Sequence, residues 1–299
     1  MFFCLDPIRL PRVCLISSTT IEPPYIHRRR KSDEFIVYII KSGIMYLKEN
    51  GIKYTLIPGD IFVLDPEYVH EGYEASYCEY YYIHFKHDRI WREVKELSQD
   101  SLISIRNRAL QSNSFSYDIY ESTSLMVPKY YHFKNQSSYI QLQYILNEAV
   151  EENKTQLENY KVKTSCKVLE AFVHIERCYI SGEIDSSEQG AAKSLPKVQD
   201  ILNFINSDYA QCLSSSMIEE KFQCNFDYIN RVFKKVTGNT IFSYLNRVRI
   251  DHAKVLLLTT SLKTAEIGER VGFSDIYYFS KVFKKHTGVS PTAFGKGIA

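Results

Sequence analysis

Two short segments in the last third of the chain repeat each other closely. The first is "NRVFKKVTGNT" at residues 230–240, and the second is "FSKVFKKHTGVSP" at residues 279–291. Both contain Val-Phe-Lys-Lys, one variable residue and then Thr-Gly, at an offset of 50 positions. Identity at so many positions in one register indicates that the chain builds one structural element twice.

Each copy predicts a helix, a tight turn and a second helix. In the first copy Gln223 occupies the turn and Asn225 caps the second helix; in the second copy Gly272 permits the turn, and Ser274 or Asp275 is the cap. The apolar residues that the second helices must bury fall at helical spacing. They are Ile229, Val232 and Phe233 in the first copy and Phe279, Val282 and Phe283 in the second.

The faces opposite these apolar stripes carry polar side chains. They hold Asp227, Asn230, Arg231 and Lys234 in the first copy, and Ile276, Tyr277, Ser280, Lys281 and Lys284 in the second. A helix fits the major groove of B-DNA, where Asn, Arg, Ser and Lys can bond base edges and lysines can reach phosphates. The alternative is that both faces are simply solvated surfaces of helical hairpins.

The charge distribution favours an anionic partner for this part of the chain. Residues 196–299 hold 14 Lys and Arg against 9 Asp and Glu, a net charge of +5. The remaining residues hold 23 against 26, a net charge of −3, so the overall +2 conceals a basic region.

Further sequence patterns surround the two copies. They are "Y-L-N-x-x-R-I-x-x-A-x-x-L-L" from Tyr244 to Leu257, "E-I-G-x-x-V-G-F-S-D" from Glu266 to Asp275, and "T-G-V-S-P" from Thr287 to Pro291. With these patterns, residues 196–291 resemble the DNA-binding domain of the AraC/XylS family of transcription regulators. The resemblance implies two helix-turn-helix elements, at about 214–236 and 264–286, joined by a central helix at about 241–258. Such a spacer would place two recognition helices in successive major grooves of double-stranded DNA, about 34 Å apart.

The resemblance also implies base-reading positions, which fall on the outward residues already named. Arg231 is expected to bond guanine bidentately, whereas Asp227 either accepts from cytosine or stabilises the start of its helix. Lys234 and Lys284 are expected to reach phosphates. Two features depart from the family pattern: Glu219 stands where the first element usually has Ala, and Phe294-Gly295 leaves the last helix undetermined.

In the first part of the chain the hydrophobic residues follow the pattern of strands and not that of helices. From residue 12 to 85 short β-branched and aromatic runs alternate with turn signals such as "ENG" and "PGD", which predicts an antiparallel sandwich or barrel. Residues 88–98 predict a short helix, and residues 99–135 are mixed. Helical spacing of Ile140, Tyr144, Ile145 and Ala149 begins a predicted helical hairpin over 136–181, with one face for the barrel and one for a second subunit. The small, polar residues 182–195 predict a linker.

Residues 20–85 more loosely resemble the cupin-like ligand-binding domain found upstream in many members of this family. The resemblance is carried by "PPYIHRRRKSDEFIVYIIKSG" and "IPGDIFVLDPEYVHEGY". It implies a two-domain protein: an all-β cupin-like barrel or jelly roll over 1–135 with the appended hairpin, and an all-α DNA-binding domain over 196–299.

Metal-binding cupins use a His-x-His pair, which is broken here because Arg28 and Arg29 follow His27. No metal or other cofactor is therefore expected. The predicted pocket instead suits a polar effector, above all a carbohydrate, and comprises His27, Arg28, Arg29, Glu34, Tyr38, Tyr46 and His70. The alternatives are that these tyrosines only pack within strands and that the arginine run is a solvated loop.

The remaining composition excludes several classes of protein. The seven cysteines are odd in number and lack a C-x-x-C pair, which argues against a disulfide framework and a structural zinc site. No apolar run approaches the roughly 18 residues of a membrane span, so we expect a cytoplasmic protein without a membrane partner. The prediction is a homodimeric, effector-responsive, non-enzymatic regulator. A metal-dependent cupin enzyme with a DNA-binding tail and a constitutive DNA-binding protein remain alternatives.

Overall fold

The computed structural model describes most of the chain, namely residues 1–94, 97–98, 101–102, 104–105, 124–186 and 195–297. These residues form two compact units. Of the described residues, the N-terminal unit contains 1–94, 97 and 124–183, and the C-terminal unit contains 98, 101–102, 104–105, 184–186 and 195–297.

The N-terminal unit is built from three antiparallel sheets. Its strands are β1 Phe2–Leu5, β2 Arg12–Ile21, β3 Arg30–Lys31, β4 Phe35–Gly43, β5 Met45–Glu49, β6 Ile52–Leu56, β7 Asp60–Leu64, β8 Val69–Gly72, β9 Cys78–Lys86, β10 Ile90–Glu93, β11 Leu125–Pro128 and β12 Tyr130–His132. The sheet orders are β10-β1-β11, β12-β7-β4-β9-β2 and β3-β8-β5-β6. Within the described residues the strands do not close into a barrel, so the observed form of the predicted β domain is an open sandwich.

The five-stranded sheet is buried on both faces, and strand β4 shows how. Val37 and Ile39 face a hairpin of two helices, α1 Gln136–Thr155 and α2 Tyr160–Ser186. Ile36, Tyr38 and Ile40 face the four-stranded sheet, where Met45 and Leu47 of β5 meet them. A strand covered on both sides needs no alternation of apolar and polar residues, which explains the unbroken apolar run "FIVYII".

The helix predicted over residues 88–98 is wrong at 90–93, which form strand β10. Ile90 pairs with Leu5 and Trp91 with Cys4, so β10 covers one edge of β1. All four residues of β1 are buried, and a buried strand needs hydrogen-bonding partners on both edges. This long-range pairing overrides the helical pattern of the local sequence.

Of the four α1 residues that the sequence placed at helical spacing, Ile145 and Ala149 are buried where the hairpin packs on the five-stranded sheet, whereas Ile140 and Tyr144 are not. The buried residues of α1 are Leu142, Ile145, Leu146, Ala149 and Val150. Ile140 is 55% exposed and Tyr144 is 66% exposed, so these two apolar side chains face away from the sheet. Helix α2 continues to Ser186, so residues 182–186 are helical where a linker was expected, and residues 187–194 lie outside the described part.

The C-terminal unit is helical. Its helices are α3 Leu195–Asp208, α4 Ser215–Phe222, α5 Phe226–Thr237, α6 Ile241–Thr259, α7 Thr264–Arg270, α8 Ile276–Thr287 and α9 Pro291–Gly295. Helix α9, undetermined from the sequence, is short: Ser290 Oγ accepts from Ala293 N at 3.2 Å, and the Phe294 ring packs edge-on against Phe283. Among the helices described, none combines the length and apolarity that a membrane crossing requires.

Candidate nucleic-acid interface and effector site

The repeated Thr-Gly pair ends the second helix of each copy, α5 and α8, in the same way. Thr237 Oγ1 donates to Phe233 O at 2.8 Å, and the N–H of Gly238, with φ +73°, donates to Lys234 O at 2.8 Å. The second copy repeats both bonds 50 residues later, at 2.9 Å each. Glycine adopts the left-handed conformation at a helix end at low cost. The repeated Thr-Gly pair therefore forms the C-cap of both helices.

The starts of α5 and α8 are capped by side chains. Asn225 Oδ1 accepts from Tyr228 N at 3.0 Å. Asp275 Oδ1 accepts from Tyr277 N at 2.7 Å and from Tyr278 N at 3.1 Å, so Asp275 rather than Ser274 is the cap. Each side chain satisfies backbone donors that the first turn of a helix leaves unpaired.

The two helix-turn-helix elements differ at the position where Glu219 departs from the family pattern. Glu219 Oε1 accepts from Phe226 N at 2.7 Å, so this carboxylate ties α4 to the start of α5. The equivalent residue of the second element is Gly268. A Cβ at Gly268 would lie 3.1 Å from Cδ1 of Phe279, so the missing side chain makes room for that ring.

The central helix α6 is hydrogen-bonded to both α5 and α8. Ile241 N donates to Asn230 Oδ1 at 2.9 Å, and Asn246 Nδ2 donates to Tyr278 OH at 3.2 Å. Through these bonds α6 fixes the orientation of α5 at one end and of α8 further along. The carboxamide oxygen of Asn230, a predicted base reader, is therefore already engaged within the unit.

Arg249 of α6 anchors the end of α3. It is only 8% exposed, and its Nε and Nη2 donate to Tyr209 O at 2.8 Å and to Gln211 O at 2.7 Å. The guanidinium also lies 5.4 Å from the ring centroid of Phe273, in the second turn. Burial lowers the pKa of Arg249, and the two carbonyl oxygens are what stabilise its charge there.

Most of the predicted DNA-reading side chains are accessible. Asp227, Arg231, Lys234, Lys281 and Lys284 are exposed. Tyr277 is 85% exposed, whereas Ser280, like Asn230, is half-buried. Ile276, predicted on the outward face, instead packs against the core of the C-terminal unit, because it lies one helical turn before the buried Phe279.

In the N-terminal unit the structure brings three of the predicted effector residues together. Nε2 of His27 lies 2.6 Å from Tyr38 OH, and the rings of His27 and His70 are 5.7 Å apart. Gly72 N donates to His27 O at 2.7 Å, which holds His27 against strand β8. Arg30, which was not predicted, donates from Nε to His70 Nε2 at 3.2 Å.

A row of rings continues from Tyr38 along strand β9. Ring centroids are 5.2 Å apart for Tyr38 and Tyr80, 6.2 Å for Tyr80 and Tyr82, and 5.9 Å for Tyr82 and His84. Nδ1 of His84 lies 3.0 Å from a carboxylate oxygen of Glu34. Sequence reasoning missed the β9 residues, although the alternation in "YYYIHF" places them on one face of a strand. We call His27, Arg30, Tyr38, His70, Tyr80, Tyr82 and His84 the ring cluster.

The imidazoles of the ring cluster are neutral at neutral pH. Burial, followed by the charge of Arg30, lowers the pKa of His27 to about 4. Burial, with His27 and Arg30 nearby, lowers the pKa of His70 to about 4 as well. Burial also lowers the pKa of His84, against the opposing effect of Glu34, and raises the pKa of Tyr38 to about 12. The charge of the cluster at neutral pH therefore resides on Arg30.

Three other predicted effector residues lie apart from the ring cluster. Arg28 is exposed, and Arg29 forms an ion pair with Glu71 at 3.6 Å on the surface. The Tyr46 ring packs against Tyr73, on the face of β5 opposite Met45 and Leu47. In the part of the chain that the structure describes, no group of three His, Cys, Asp or Glu side chains is arranged to hold a metal ion.

Comparisons with known proteins found family models that match residues of both units. A model of the AraC-like ligand binding domain matches residues 13–116, and a model of a helix-turn-helix domain matches residues 219–297. The chain is 25% identical over 275 residues, 91% of this chain and 89% of the relative, to the uncharacterized HTH-type transcriptional regulator YisR of Bacillus subtilis. It is 24% identical over 273 residues, 91% of this chain and 88% of the relative, to the HTH-type transcriptional activator RhaR of Mannheimia succiniciproducens. Over 69 residues, 23% of this chain and 25% of the relative, it is 44% identical to the arabinose operon regulatory protein of Salmonella typhimurium.

Proposed function

The chain belongs to the AraC family of DNA-binding transcription regulators with a ligand-binding domain, and from that premise we propose that α5 and α8 read one operator in two successive major grooves of double-stranded DNA. The observation that carries this proposal is the pair of hydrogen bonds from α6 to Asn230 and Tyr278. A spacer bonded to both recognition helices presents them as one rigid reading surface.

The exposed side chains on that surface divide by chemistry. Arg231 can bond guanine O6 and N7 bidentately, and Lys281 can bond one base edge as a point charge. Lys234 and Lys284, in the last turns of their helices, contact phosphates and set the register of the complex. Asp227 and Tyr277 occupy matching places near the helix starts and add contacts that differ between the two half-sites.

Selection from a random DNA library with the full-length protein tests this assignment. Arg231→Ala and Lys281→Ala are expected to relax base preference at two different positions of the selected site. Lys284→Ala is expected to weaken binding to every sequence and to reduce the salt dependence by about one phosphate contact. Lys53→Ala, an exposed lysine of the N-terminal unit, is the matched control. Unchanged selection by both Arg231→Ala and Lys281→Ala would reject the assignment.

We further propose that the ring cluster binds a sugar or sugar derivative as effector. Aromatic faces beside hydroxyl and imidazole groups suit the alternating apolar and polar faces of a sugar ring. The similarity to the arabinose operon regulatory protein supports the same class. Operator occupancy measured by footprinting across a sugar panel tests the idea, and identical occupancy with every metabolite would favour a constitutive regulator.

The exposed side of the helical hairpin supports a homodimer. Ile140 and Tyr144 lie four residues apart on α1, on the face that the sheet leaves uncovered. Tyr144→Glu is expected to shift the protein from dimer to monomer in sedimentation, whereas Thr155→Glu, at the far end of α1, is not. A dimer that survives Tyr144→Glu would place the interface elsewhere.

The relatives are named as transcription regulators, which agrees with a non-enzymatic role in the cytoplasm. Metal analysis of the purified protein tests the enzymatic alternative. Stoichiometric iron, manganese or zinc would favour a metal-dependent cupin enzyme.

A further inference from the structure

The guanidinium of Arg30 has no carboxylate partner among the residues that the structure describes. Glu34 is engaged with His84, and Glu71 is engaged with Lys48 at 3.1 Å and with Arg29. Arg30 instead donates to the neutral imidazole of His70. Since an arginine remains charged at every physiological pH, this positive charge meets only neutral hydrogen-bonding groups within the ring cluster.

The positive charge of Arg30 acts on several buried side chains of the ring cluster. Burial lowers the pKa of His27, His70 and His84, and the charge of Arg30 lowers each of these pKa values further. Burial raises the pKa of Tyr38, and Arg30 opposes that rise. Arg30 is itself exposed, whereas His27 and His70 are 9% and 1% exposed. The cation therefore lies at the accessible side of a buried group of imidazole and phenol side chains, where a ligand from solvent would meet it first.

A second observation points to a ligand at the same place. Nδ1 of His27 is buried and has no hydrogen-bond partner, although Nε2 of the same ring lies against Tyr38. A buried polar atom without a partner carries the cost of lost hydration, and a ligand group that bonds it would recover part of that cost.

We propose that the effector carries an anionic group beside hydroxyl groups, so that its carboxylate or phosphate pairs with Arg30 while its hydroxyls bond the buried imidazoles and phenols. This inference rests on the proposed function only in taking the ring cluster as the effector site. A planar guanidinium pairs bidentately with a carboxylate or a phosphate. A neutral sugar would fill the same site without supplying a counter-charge for Arg30.

Calorimetric titration of the full-length protein with matched ligands tests the proposal. The panel contains neutral glucose and galactose, their uronic acids and their 6-phosphates. At least one anionic member is expected to bind ten times more tightly than its neutral parent, and the acid and phosphate arms show which anion the site takes. Neutral members that bind as tightly as the anionic ones, or a panel without any binding, would overturn the proposal.

Arg30→Gln supplies the second arm. It is expected to weaken the anionic ligand at least tenfold. Arg29→Gln, one residue away, removes a guanidinium that pairs with Glu71 outside the ring cluster and is expected to change the affinity less than twofold. Equal losses in both variants would reject pairing with Arg30. Fluorescence of the single tryptophan, Trp91, which lies in the N-terminal unit, verifies that both variants fold. Calorimetry needs no DNA, so anion binding without any change in operator occupancy would reject the regulatory role and leave this inference intact.

Discussion

The first helix-turn-helix holds its recognition helix with a charged side chain, whereas the second holds it by close packing. In the first, Glu219 caps the N–H of Phe226. In the second, Gly268 lets the Phe279 ring approach the backbone of α7. The same backbone arrangement is thus reached by a polar bond in one copy and by the absence of a side chain in the other. Equivalent positions should therefore respond differently to substitution.

The outward residues differ as much as the supports. At matching positions the first element presents Asp227 and Arg231, and the second presents Tyr277 and Lys281. The Thr-Gly caps and a buried phenylalanine, Phe233 in the first element and Phe283 in the second, are instead shared. A repeated frame with different exposed side chains is what a protein needs in order to read two different half-sites with one geometry.

The largest effect should come from Arg249, whose buried guanidinium lies against the turn of the second element. Arg249→Ala leaves the carbonyl oxygens of Tyr209 and Gln211 without their charged donor and is expected to lower the free energy of unfolding by about 4 kcal/mol. Urea unfolding followed by circular dichroism at 222 nm measures it. Trp91 fluorescence, which reports the N-terminal unit, should be unchanged, and the exposed Arg270→Ala should cost less than about 0.5 kcal/mol. A loss no larger than that of Arg270→Ala would contradict this role.

Exchanging the supports of the two elements tests the comparison directly. Gly268→Glu places a carboxylate against the Phe279 ring in the core of the second element, and we expect a loss of about 3 kcal/mol from overpacking and desolvation. The same urea experiment measures the loss. If Gly268→Glu were tolerated within about 1 kcal/mol, the second element could accept the polar support of the first, and the distinction would fail.

The DNA-contacting faces of the two elements should also respond differently to substitution. Arg231→Lys keeps the charge but loses the planar fork, so operator affinity is expected to fall by about 1.5 kcal/mol, roughly tenfold. Lys281→Arg keeps both charge and reach and is expected to change affinity less than about threefold. Electrophoretic mobility shifts on the selected operator measure both. Equal effects of the two exchanges would mean that neither position depends on bidentate geometry.

Removing the polar support of the first element should cost less than filling the packed space of the second. Glu219→Ala leaves Phe226 N without its side-chain acceptor, and the expected loss is about 1 kcal/mol, typical of a helix cap. Glu219→Gln keeps an oxygen that can accept the same bond and should recover about half of that loss. Thermal unfolding of the three proteins compares them. A Gln variant as unstable as the Ala variant would show that charge, and not the bond, is what matters.

The helices of the C-terminal unit could be predicted from short-range sequence patterns. The Thr-Gly caps and the apolar stripe of Phe279, Val282 and Phe283 follow from neighbours within one or two helical turns. The role of Glu219 was not predictable, because its partner Phe226 N is seven residues away across a turn. Sequence spacing could not show which outward side chains already bond to α6. Asn230, which accepts from Ile241 N, is an example.

The N-terminal unit was less readable because its decisive contacts are distant in sequence. Strand β10 depends on pairing with β1, about 85 residues earlier in the chain. The sequence prediction of an effector site included Arg28 and Arg29 but left out Arg30, whose Nε donates to His70. Only the pairing of β3 with β8, where Arg30 lies opposite His70, distinguishes one arginine from the other two.

The smallest predicted effect concerns the turn of the first element, where Gln223 adopts φ +49°. A left-handed conformation costs a non-glycine residue about 1 kcal/mol or more, while glycine loses about 0.5 to 1 kcal/mol of additional chain entropy on folding. Gln223→Gly also removes the bond from Nε2 to Glu220 O, which lies at the surface. We therefore expect a net gain of about 0.5 kcal/mol, measured by urea unfolding.

The reverse substitution in the second element, Gly272→Gln, should lower the free energy of unfolding. A Cβ at Gly272 would lie 2.7 Å from Ala210 O and 2.9 Å from Nη2 of Arg249, so Gly272→Gln must displace both the backbone and the buried arginine. We expect the first turn to accept either residue because Gln223 is exposed, and the second to reject the larger one because Ala210, after the end of α3, and Arg249 of α6 both lie against Gly272. A destabilised Gln223→Gly variant would show that the side-chain bond to Glu220 outweighs the backbone strain. The first turn would then depend on its side chain as the first recognition helix depends on Glu219.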